Sequence, residues 1–177
     1  MNEPMFRDLR ADEIECRVAQ AKANGVSLLL YKDARCDQNI LDETVGAMNW
    51  QRQHTRDNAN CIVSIWDKEK NQWIGKEDTG TESNTEKEKG LASDSFKRAC
   101  FNWGIGRELY TAPFIWIKAE DCTSLQASGD KVKCFDNFEV EKILIENKRI
   151  TAIAIRNTKS GKRCFVWQDA KRLNKGA

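Results

Sequence analysis

The segment from Thr79 to Tyr110 constrains the fold more than any other part of the chain. A capped, polar helix follows directly after strand-like sequence. Ser83 and Thr85 are good N-cap residues, and each is followed three positions later by a glutamate, as in a capping box. The helix is predicted to stop at Gly104-Ile105-Gly106, because glycine commonly follows the last helical residue. The sequence therefore predicts a helix over Thr85–Trp103.

This helix has one apolar side and one cationic side. The apolar positions, which recur at helical spacing and should face a sheet, are Ala92, Phe96, Ala99 and Trp103. Lys89 and Lys97 share another side, and Arg98 lies next to them. Asp94 precedes Arg98 by four residues, so we expect the two to pair. Cations on a rigid helix can hold the phosphates of a polyanion without reading its sequence.

Three strand-like segments joined by short polar turns precede this helix. They are Trp50–Arg56, Cys61–Trp66 and Gln72–Thr79. Alternating segments with such short connections are typical of an antiparallel meander. We therefore expect a meander packed on the long helix, a β-β-β-α core.

Two helices and a short strand are predicted before the meander. The first helix runs from Asp12 to Gly25, because three apolar residues fall one turn apart within it. Those residues are Ile14, Val18 and Ala21. The apolar run Val26–Tyr31 is short enough for a strand. Asp37 is the predicted cap of the second helix.

After Pro113 the pattern becomes that of an antiparallel β extension. The predicted strands are Phe114–Lys118, Lys131–Phe135, Phe138–Glu146, Arg149–Asn157 and Lys162–Gln168. Asn147-Lys148 suits a tight turn and Ser160-Gly161 another, whereas Asp121–Asp130 is expected to be a mobile loop. The fold class is therefore α+β, with residues 1–112 as a core and residues 113–177 as either a separate small sheet or strands added to the core.

Composition limits the class of protein further. The chain has 177 residues, 40% of them hydrophobic and 32% charged, which suits a folded domain. Its net charge of +2 means that any nucleic-acid site depends on how the cations are arranged. No apolar leader and no apolar run of about 20 residues occur, so we expect a cytoplasmic protein without a membrane segment. Seven cysteines without a CxxC pair, and His54 as the single histidine, predict reduced packing thiols and no metal site.

The predicted order of elements is helix, short strand, helix, three-strand meander and long helix. Two motifs within it resemble the annealing domain of the Rad fifty-two family, most of all its short phage and prophage (Sak-like) members. Asn39–Trp50 (NILDETVGAMNW) is similar to the family's helix that runs into a glycine and a Trp-bearing strand. Ala92–Gly104 (ASDSFKRACFNWG) is similar to its Asp-x-x-x-Lys-Arg-Ala helix closed by glycine. The resemblance covers about Asp12 to Tyr110.

The resemblance implies a non-enzymatic, cofactor-free protein that binds single-stranded DNA and anneals complementary strands in phage-type recombination and DNA repair. It implies a homo-oligomeric ring whose groove holds the DNA backbone, with a host single-strand-binding protein or an exonuclease as partner. Lys97 and Arg98 match the family's groove pair, Lys89 a basic position on the same helix, and Arg35 a groove arginine. Ala47 and Phe101 depart from the family, which has an aromatic and a basic residue there.

Several residues keep two interpretations. Lys87 and Lys89 suit either ordinary surface charge or DNA contacts. Arg52 and Arg56 suit either an exposed sheet face or the lining of a groove. Trp50 is the tryptophan to examine as a base-stacking platform, since most of the others suit packing.

Two other classes of function remain open. A metal-dependent nuclease would use Asp136 with Glu146-Asn147-Lys148 to hold Mg²⁺. A non-catalytic scaffold protein would use the late strands as its docking surface.

Overall fold

The structure is a computed structural model that describes residues 4–81, 87–129 and 131–170, with the side chains of residues 87–89 and 128 outside the description. The described residues form two α-helices, α1 (Ala34–Val45) and α2 (Lys87–Asn102), and eleven β-strands. The strands are β1 (Glu15–Lys22), β2 (Gly25–Tyr31), β3 (Trp50–Thr55), β4 (Asn60–Asp67), β5 (Gln72–Thr79), β6 (Ile115–Lys118), β7 (Leu125–Ser128), β8 (Lys131–Cys134), β9 (Phe138–Glu146), β10 (Arg149–Asn157) and β11 (Arg163–Gln168). The strands pair antiparallel, and neither described helix is long and apolar enough to cross a membrane.

The chain divides into two compact units. The meander unit consists of Met1–Asp8 and Lys32–Arg107, and the six-strand unit consists of Leu9–Tyr31 and Glu108–Ala177. The chain therefore enters the six-strand unit, leaves it for the meander unit, and returns. The predicted division into a DNA-binding core (residues 1–112) and a C-terminal extension (residues 113–177) remains a prediction.

In the meander unit, β3, β4 and β5 form the expected antiparallel meander. Strand β4 is its centre, and its alternating residues Cys61, Val63 and Ile65 are buried on one face. Helix α2 packs against β4 and β5, and Phe96 and Ala99 on its apolar side are fully buried. The apolar periodicity of this helix therefore marks the face that packs on the sheet.

Both helices of the meander unit differ from their predicted extent. Helix α1 begins after Asp33, whose side chain accepts a hydrogen bond from the Cys36 amide at 2.9 Å. The predicted cap, Asp37, is instead a buried residue inside the first turn. Helix α2 has 16 residues and is not the long helix expected over Thr85–Trp103, and its predicted capping residues lie outside the described part of the chain.

The six-strand unit is built on one sheet with the strand order β11-β10-β9-β1-β2-β6. Its edge strands β6 and β11 approach each other, so the sheet is nearly closed. Its core contains the fully buried Val26, Ile117, Ile150 and Ile155. Strands β7 and β8 form a separate two-stranded hairpin.

The predicted first helix is wrong, because residues Glu15–Lys22 form strand β1. This strand pairs along its length with β2 and meets β9 at Glu15. Gly25 begins β2 at φ +150°, and a Cβ there would lie 2.2 Å from the Ile117 carbonyl oxygen. Pairing with distant residues thus decides the structure of this segment.

The strands predicted after Pro113 are confirmed as β6 and β8–β11, with ends that differ by one residue or less. Asn147 and Lys148 form the β9–β10 turn at φ 51° and 59°. The segment predicted as a loop contains β7, which pairs with β8. The described structure contains both helices and strands, and its strands pair mostly antiparallel, which agrees with the predicted α+β content. It lacks the first of the two predicted N-terminal helices.

Candidate nucleic-acid interface

One face of the meander is covered by α2. Strand alternation places Trp50, Arg52 and His54 of β3 on this face. Their register partners on β4 and β5 lie in three rows across the sheet: Ile65 and Ile74 beside Trp50, Val63 and Lys76 beside Arg52, and Cys61 and Asp78 beside His54. Apolar residues hold the helix at the centre of the sheet, and polar residues border it at the edges.

Contacts from both sides fix the position of α2. The Phe96 ring stacks on Trp50 with centroids 6.1 Å apart. The Trp103 indole Nε1 donates to the Val63 carbonyl oxygen at 2.9 Å. Beyond the helix end, the Ile105 amide donates to the Cys100 carbonyl at 3.1 Å, so the glycine-bordered segment ends the helix as predicted. Side chains on the outer flank of α2 are therefore carried on a rigid support.

Lys97 and Arg98 lie on that outer flank, and both are partly exposed. The Arg98 side chain is 41% exposed, and its Nε lies 3.3 Å from Asp78 Oδ1. The predicted Asp94 partner is wrong, because Asp94 instead accepts from the Thr81 amide at 2.8 Å. Within residues 4–81, 87–129 and 131–170, Lys97 forms no ion pair. An ion pair as exposed as that of Arg98 contributes about 0–1 kcal/mol, so a phosphate can compete with it.

Two further cations border α2. The Arg52 guanidinium carbon lies 4.8 Å from the centroid of the Phe96 ring. The Lys76 ammonium lies 4.4 Å from the Trp103 centroid and donates to the Asn102 carbonyl at 3.0 Å. Lys76 was not predicted, although its position opposite Val63 follows once the meander register is known. We call Arg52, Lys76, Lys97 and Arg98 the α2 cation group.

The structure does not bring the other predicted residues into this group. Arg35 is 85% exposed in the first turn of α1 and pairs with Asp33 at 2.9 Å. Arg56 lies in the β3–β4 turn at φ 50°, beyond the end of β3, so it does not alternate with Arg52 along a strand. Lys87 and Lys89 belong to the first turn of α2, but their side chains lie outside the described part of the chain.

Trp50 is a packing residue in this structure. It is partly buried, its ring faces Phe96, and its indole Nε1 donates to Asp42 Oδ1 at 2.7 Å. Such a ring, with one face and its polar edge engaged, has little surface for stacking on a base.

A cleft of about 540 Å³ opens in the meander unit where the β4–β5 turn meets the end of α2. Its walls include the indole rings of Trp66 and Trp103 and the side chains of Lys68, Lys70 and Lys76. Lys97 and Arg98 do not line it. Lys76 belongs both to the cleft and to the α2 cation group, so aromatic surface and positive charge occur together at this end of the helix.

A buried ion pair lies under the start of α1. The ammonium of Lys32 contacts Asp37 Oδ1, and the two side chains are 1% and 0% exposed. The ammonium also lies 4.3 Å from the Phe101 ring, and a Cβ at Gly106 would lie 2.3 Å from Lys32 Cε. Burial raises the pKa of Asp37 to about 6, and the neighbouring Lys32 charge opposes that rise. Lys32 is therefore structural and is withdrawn from any ligand.

The residues suggested for a nuclease are far apart. Asp136 is buried, and Glu146 ends β9, which begins at Phe138. At about 3.3 Å per residue, β9 alone spans roughly 26 Å from Phe138 to Glu146. Although burial raises the pKa of Asp136, hydrogen bonds from Ser124 and Thr123 lower it to about 2. These two acids do not form one Mg²⁺ site.

A different set of possible metal ligands meets in the six-strand unit. Ligand atoms of Cys122, Cys134 and Asp136 lie within 4.8 Å of one another. The spacing of the cysteines along the chain gave no signal for this cluster, because its members come together only when the β7–β8 hairpin forms. The seven cysteines are unpaired thiols in the structure, and Cys36, Cys61 and Cys100 are buried in packing positions.

Comparison with known proteins adds no relative: no protein-family model matches the chain, and no curated protein or solved structure is significantly similar to it.

Proposed function

We propose that this protein binds single-stranded DNA along its sugar-phosphate backbone and anneals complementary strands, without a cofactor. The observation that carries the proposal is the placement of Lys97 and Arg98, both partly exposed, on a helix whose apolar side packs against the meander. Phosphate contacts position a strand without reading it, so the base edges stay free to find a complement.

The other two members of the α2 cation group also support binding to the DNA backbone. Arg52 and Lys76 lie over aromatic rings at the two edges of the sheet face that α2 covers. Both are exposed, so their charges remain accessible to an anion. The cleft beside Lys76 is also lined by Trp66, which offers apolar surface on which a base can stack.

The resemblance to the Rad fifty-two family extends the proposal to assembly and context. A ring of identical chains would repeat a weak backbone site many times along one strand, which raises the overall affinity by effective concentration. We propose such a ring, acting in the cytoplasm in phage-type recombination with a host single-strand-binding protein or an exonuclease as partner. The strands after Pro113 are proposed to serve assembly of the ring or recruitment of a host factor.

The test compares two double variants that remove the same charge. Lys97→Ala/Arg98→Ala removes two cations from α2, whereas Lys118→Ala/Arg149→Ala removes two exposed cations, 71% and 61% accessible, from the six-strand unit. Binding to labelled oligo-dT is measured from low to high salt. The α2 variant should lose about 1.4 from the slope of log K against log[salt], since each single-strand contact contributes about 0.7.

If the α2 variant and the parent bind equally at 1 M salt, this change in slope makes binding by the variant about 25-fold weaker at 0.1 M salt. The loss should be the same for oligonucleotides of different sequence, and annealing of complementary strands should slow in parallel. Equal salt slopes for the two double variants, or parental binding and annealing by the α2 variant, would refute the site. Degradation of the labelled strand on addition of Mg²⁺ would instead support the nuclease alternative.

A further inference from the structure

Cys122, Cys134 and Asp136 form a compact cluster in the six-strand unit. Cys122 follows a single 3-10 turn (Ala119–Asp121), Cys134 ends β8, and Asp136 lies two residues further on. Two sulfur atoms and one carboxylate oxygen lie within 4.8 Å of one another. Cys122 and Cys134 are partly buried and Asp136 is buried, so the cluster lies at the edge of the unit, where an ion can enter from solvent.

These distances are near those of a tetrahedral metal site. With metal–sulfur bonds of about 2.3 Å, neighbouring ligand atoms of a tetrahedral zinc ion lie about 3.8 Å apart. The observed upper bound of 4.8 Å therefore requires the ligands to close by about 1 Å or less at most. Two thiolates with one carboxylate select a thiophilic ion such as Zn²⁺ over Mg²⁺ or Ca²⁺, which prefer all-oxygen ligands.

The carboxylate of Asp136 is already oriented by outer partners. Its Oδ2 accepts from the Thr123 amide at 2.6 Å and from Asn157 Nδ2 at 3.2 Å. Its Oδ1 accepts from the hydroxyls of Thr123 and Ser124, which can rotate away when a stronger ligand approaches. The Lys159 ammonium lies 3.9 Å from the same oxygen, and its partly exposed side chain can turn to solvent when a cation binds. Carboxylates that bind metals are commonly held by such second hydrogen bonds, which fix their direction.

We propose that Cys122 Sγ, Cys134 Sγ and one carboxylate oxygen of Asp136 bind one zinc-class divalent cation, with the fourth position open to water. Each thiol gives up its proton to solvent as its sulfur–metal bond forms, so two protons leave for each ion bound. The ion joins the 3-10 turn before Cys122 to the β7–β8 hairpin. Among the described strands, β7 and β8 pair only with each other. Binding of the ion does not depend on DNA binding by the meander unit.

The probe is Co²⁺, which replaces Zn²⁺ and absorbs visibly in a tetrahedral thiolate site. The full chain is reduced with a phosphine, freed of metal by chelator, and titrated with Co²⁺ in the absence of thiols. One ion per chain should produce thiolate-to-cobalt absorption in the near ultraviolet and tetrahedral bands in the visible, and both should vanish on addition of one equivalent of Zn²⁺.

Cys122→Ser and Cys134→Ser should each weaken Co²⁺ binding by about 100-fold or more, because each removes one of three protein ligands. Cys16→Ser is the matched control, since Cys16 is also a partly buried thiol of the six-strand unit but lies outside the cluster. Circular dichroism of each metal-free variant establishes that it is folded. Absence of a one-to-one cobalt spectrum in the reduced parent chain, or loss of binding in Cys16→Ser equal to that in Cys122→Ser, would overturn the assignment.

Discussion

The buried pair of Lys32 and Asp37 allows the most quantitative test of the structure. Replacing Lys32 with Met keeps most of the buried stem but leaves the Asp37 carboxylate, which is 0% exposed, without its counter-charge. Breaking a buried pair from one side costs about 3–5 kcal/mol. Asp37 Oδ2 already lacks a hydrogen-bond partner among the described residues. The charge of Lys97 also favours the carboxylate, but Lys97 forms no ion pair with it among those residues.

Protonation of Asp37 sets the size of this effect and its pH dependence. In the variant, the folded state can neutralise the carboxyl by binding a proton, whereas the unfolded chain ionises near its ordinary pKa of 3.8. The cost of that proton is about 1.4 kcal/mol for each pH unit above this value. It therefore amounts to about 4.5 kcal/mol at pH 7 and about 1.7 kcal/mol at pH 5, so the variant loses stability as the pH rises.

A second variant isolates this term. Lys32→Met/Asp37→Asn has no titrating group at the site, so the difference in unfolding free energy between the single and double variants should grow by about 1.4 kcal/mol per pH unit from pH 5 to pH 7. Urea unfolding is followed by tryptophan fluorescence, which reports mainly on the meander unit because it contains Trp50, Trp66, Trp73 and Trp103. Arg35→Met, which removes an exposed pair nearby, should cost less than about 0.5 kcal/mol at either pH. A difference between the two Lys32 variants that does not change with pH would show that Asp37 is not buried as an unpaired acid.

Two further substitutions test one position in each unit. Gly25→Ala should destabilise the six-strand unit by about 2 kcal/mol or more, seen as a lower thermal midpoint, since the new Cβ would lie 2.2 Å from the Ile117 carbonyl oxygen at φ +150°; an unchanged midpoint would contradict the β1–β2 hairpin geometry. Burial, together with the Arg52 charge, lowers the pKa of His54 below its ordinary 6.5. The contribution of His54 should therefore be lost as the pH falls below about 6.5, so the unfolding free energy of the parent should fall relative to that of His54→Gln over this range; parallel pH profiles would argue against the placement of His54.

The parts of the fold that were predicted correctly depend on local sequence. Strands β3, β4 and β5 are joined by short polar turns. Such short connections allow only antiparallel pairing between consecutive strands, which sets the strand order. The same holds for β9 and β10, where Asn147 and Lys148 can adopt the positive φ angles that a tight turn needs. In each case the residues that pair are close in sequence.

Strand β1 was predicted as a helix because its local pattern fits both structures. Ile14, Val18 and Ala21 fall one helical turn apart, but a register irregularity between Val18 and Gln20 shifts the alternation expected of a strand. Strand β1 pairs along its length with β2, and the distant β9 pairs with it at Glu15. Local propensity was too weak to outweigh those pairings.

The candidate sites divide in the same way. The positions of Lys97 and Arg98 on the flank of α2 follow from helical periodicity, which the sequence contains. The contributions of Lys76 and Lys32 depend on register and on packing between elements, and no spacing rule indicates them. Cys122 and Asp136 are 14 positions apart in the numbering and meet through a hairpin. Side chains that assemble through tertiary contacts leave no periodic trace in the sequence.

The division of the chain into two units also decides how the DNA-binding residues can be located. A fragment ending at residue 112 would keep β1 and β2 but lose β6 and β9, which pair with them in the six-strand sheet. Strands β1 and β2 would then expose unpaired edges, which favour aggregation. Failure of such a fragment to bind DNA would then report on misfolding as much as on a missing site. Substitutions on α2 leave every strand pairing intact, so a change in their salt dependence refers to the DNA contact itself.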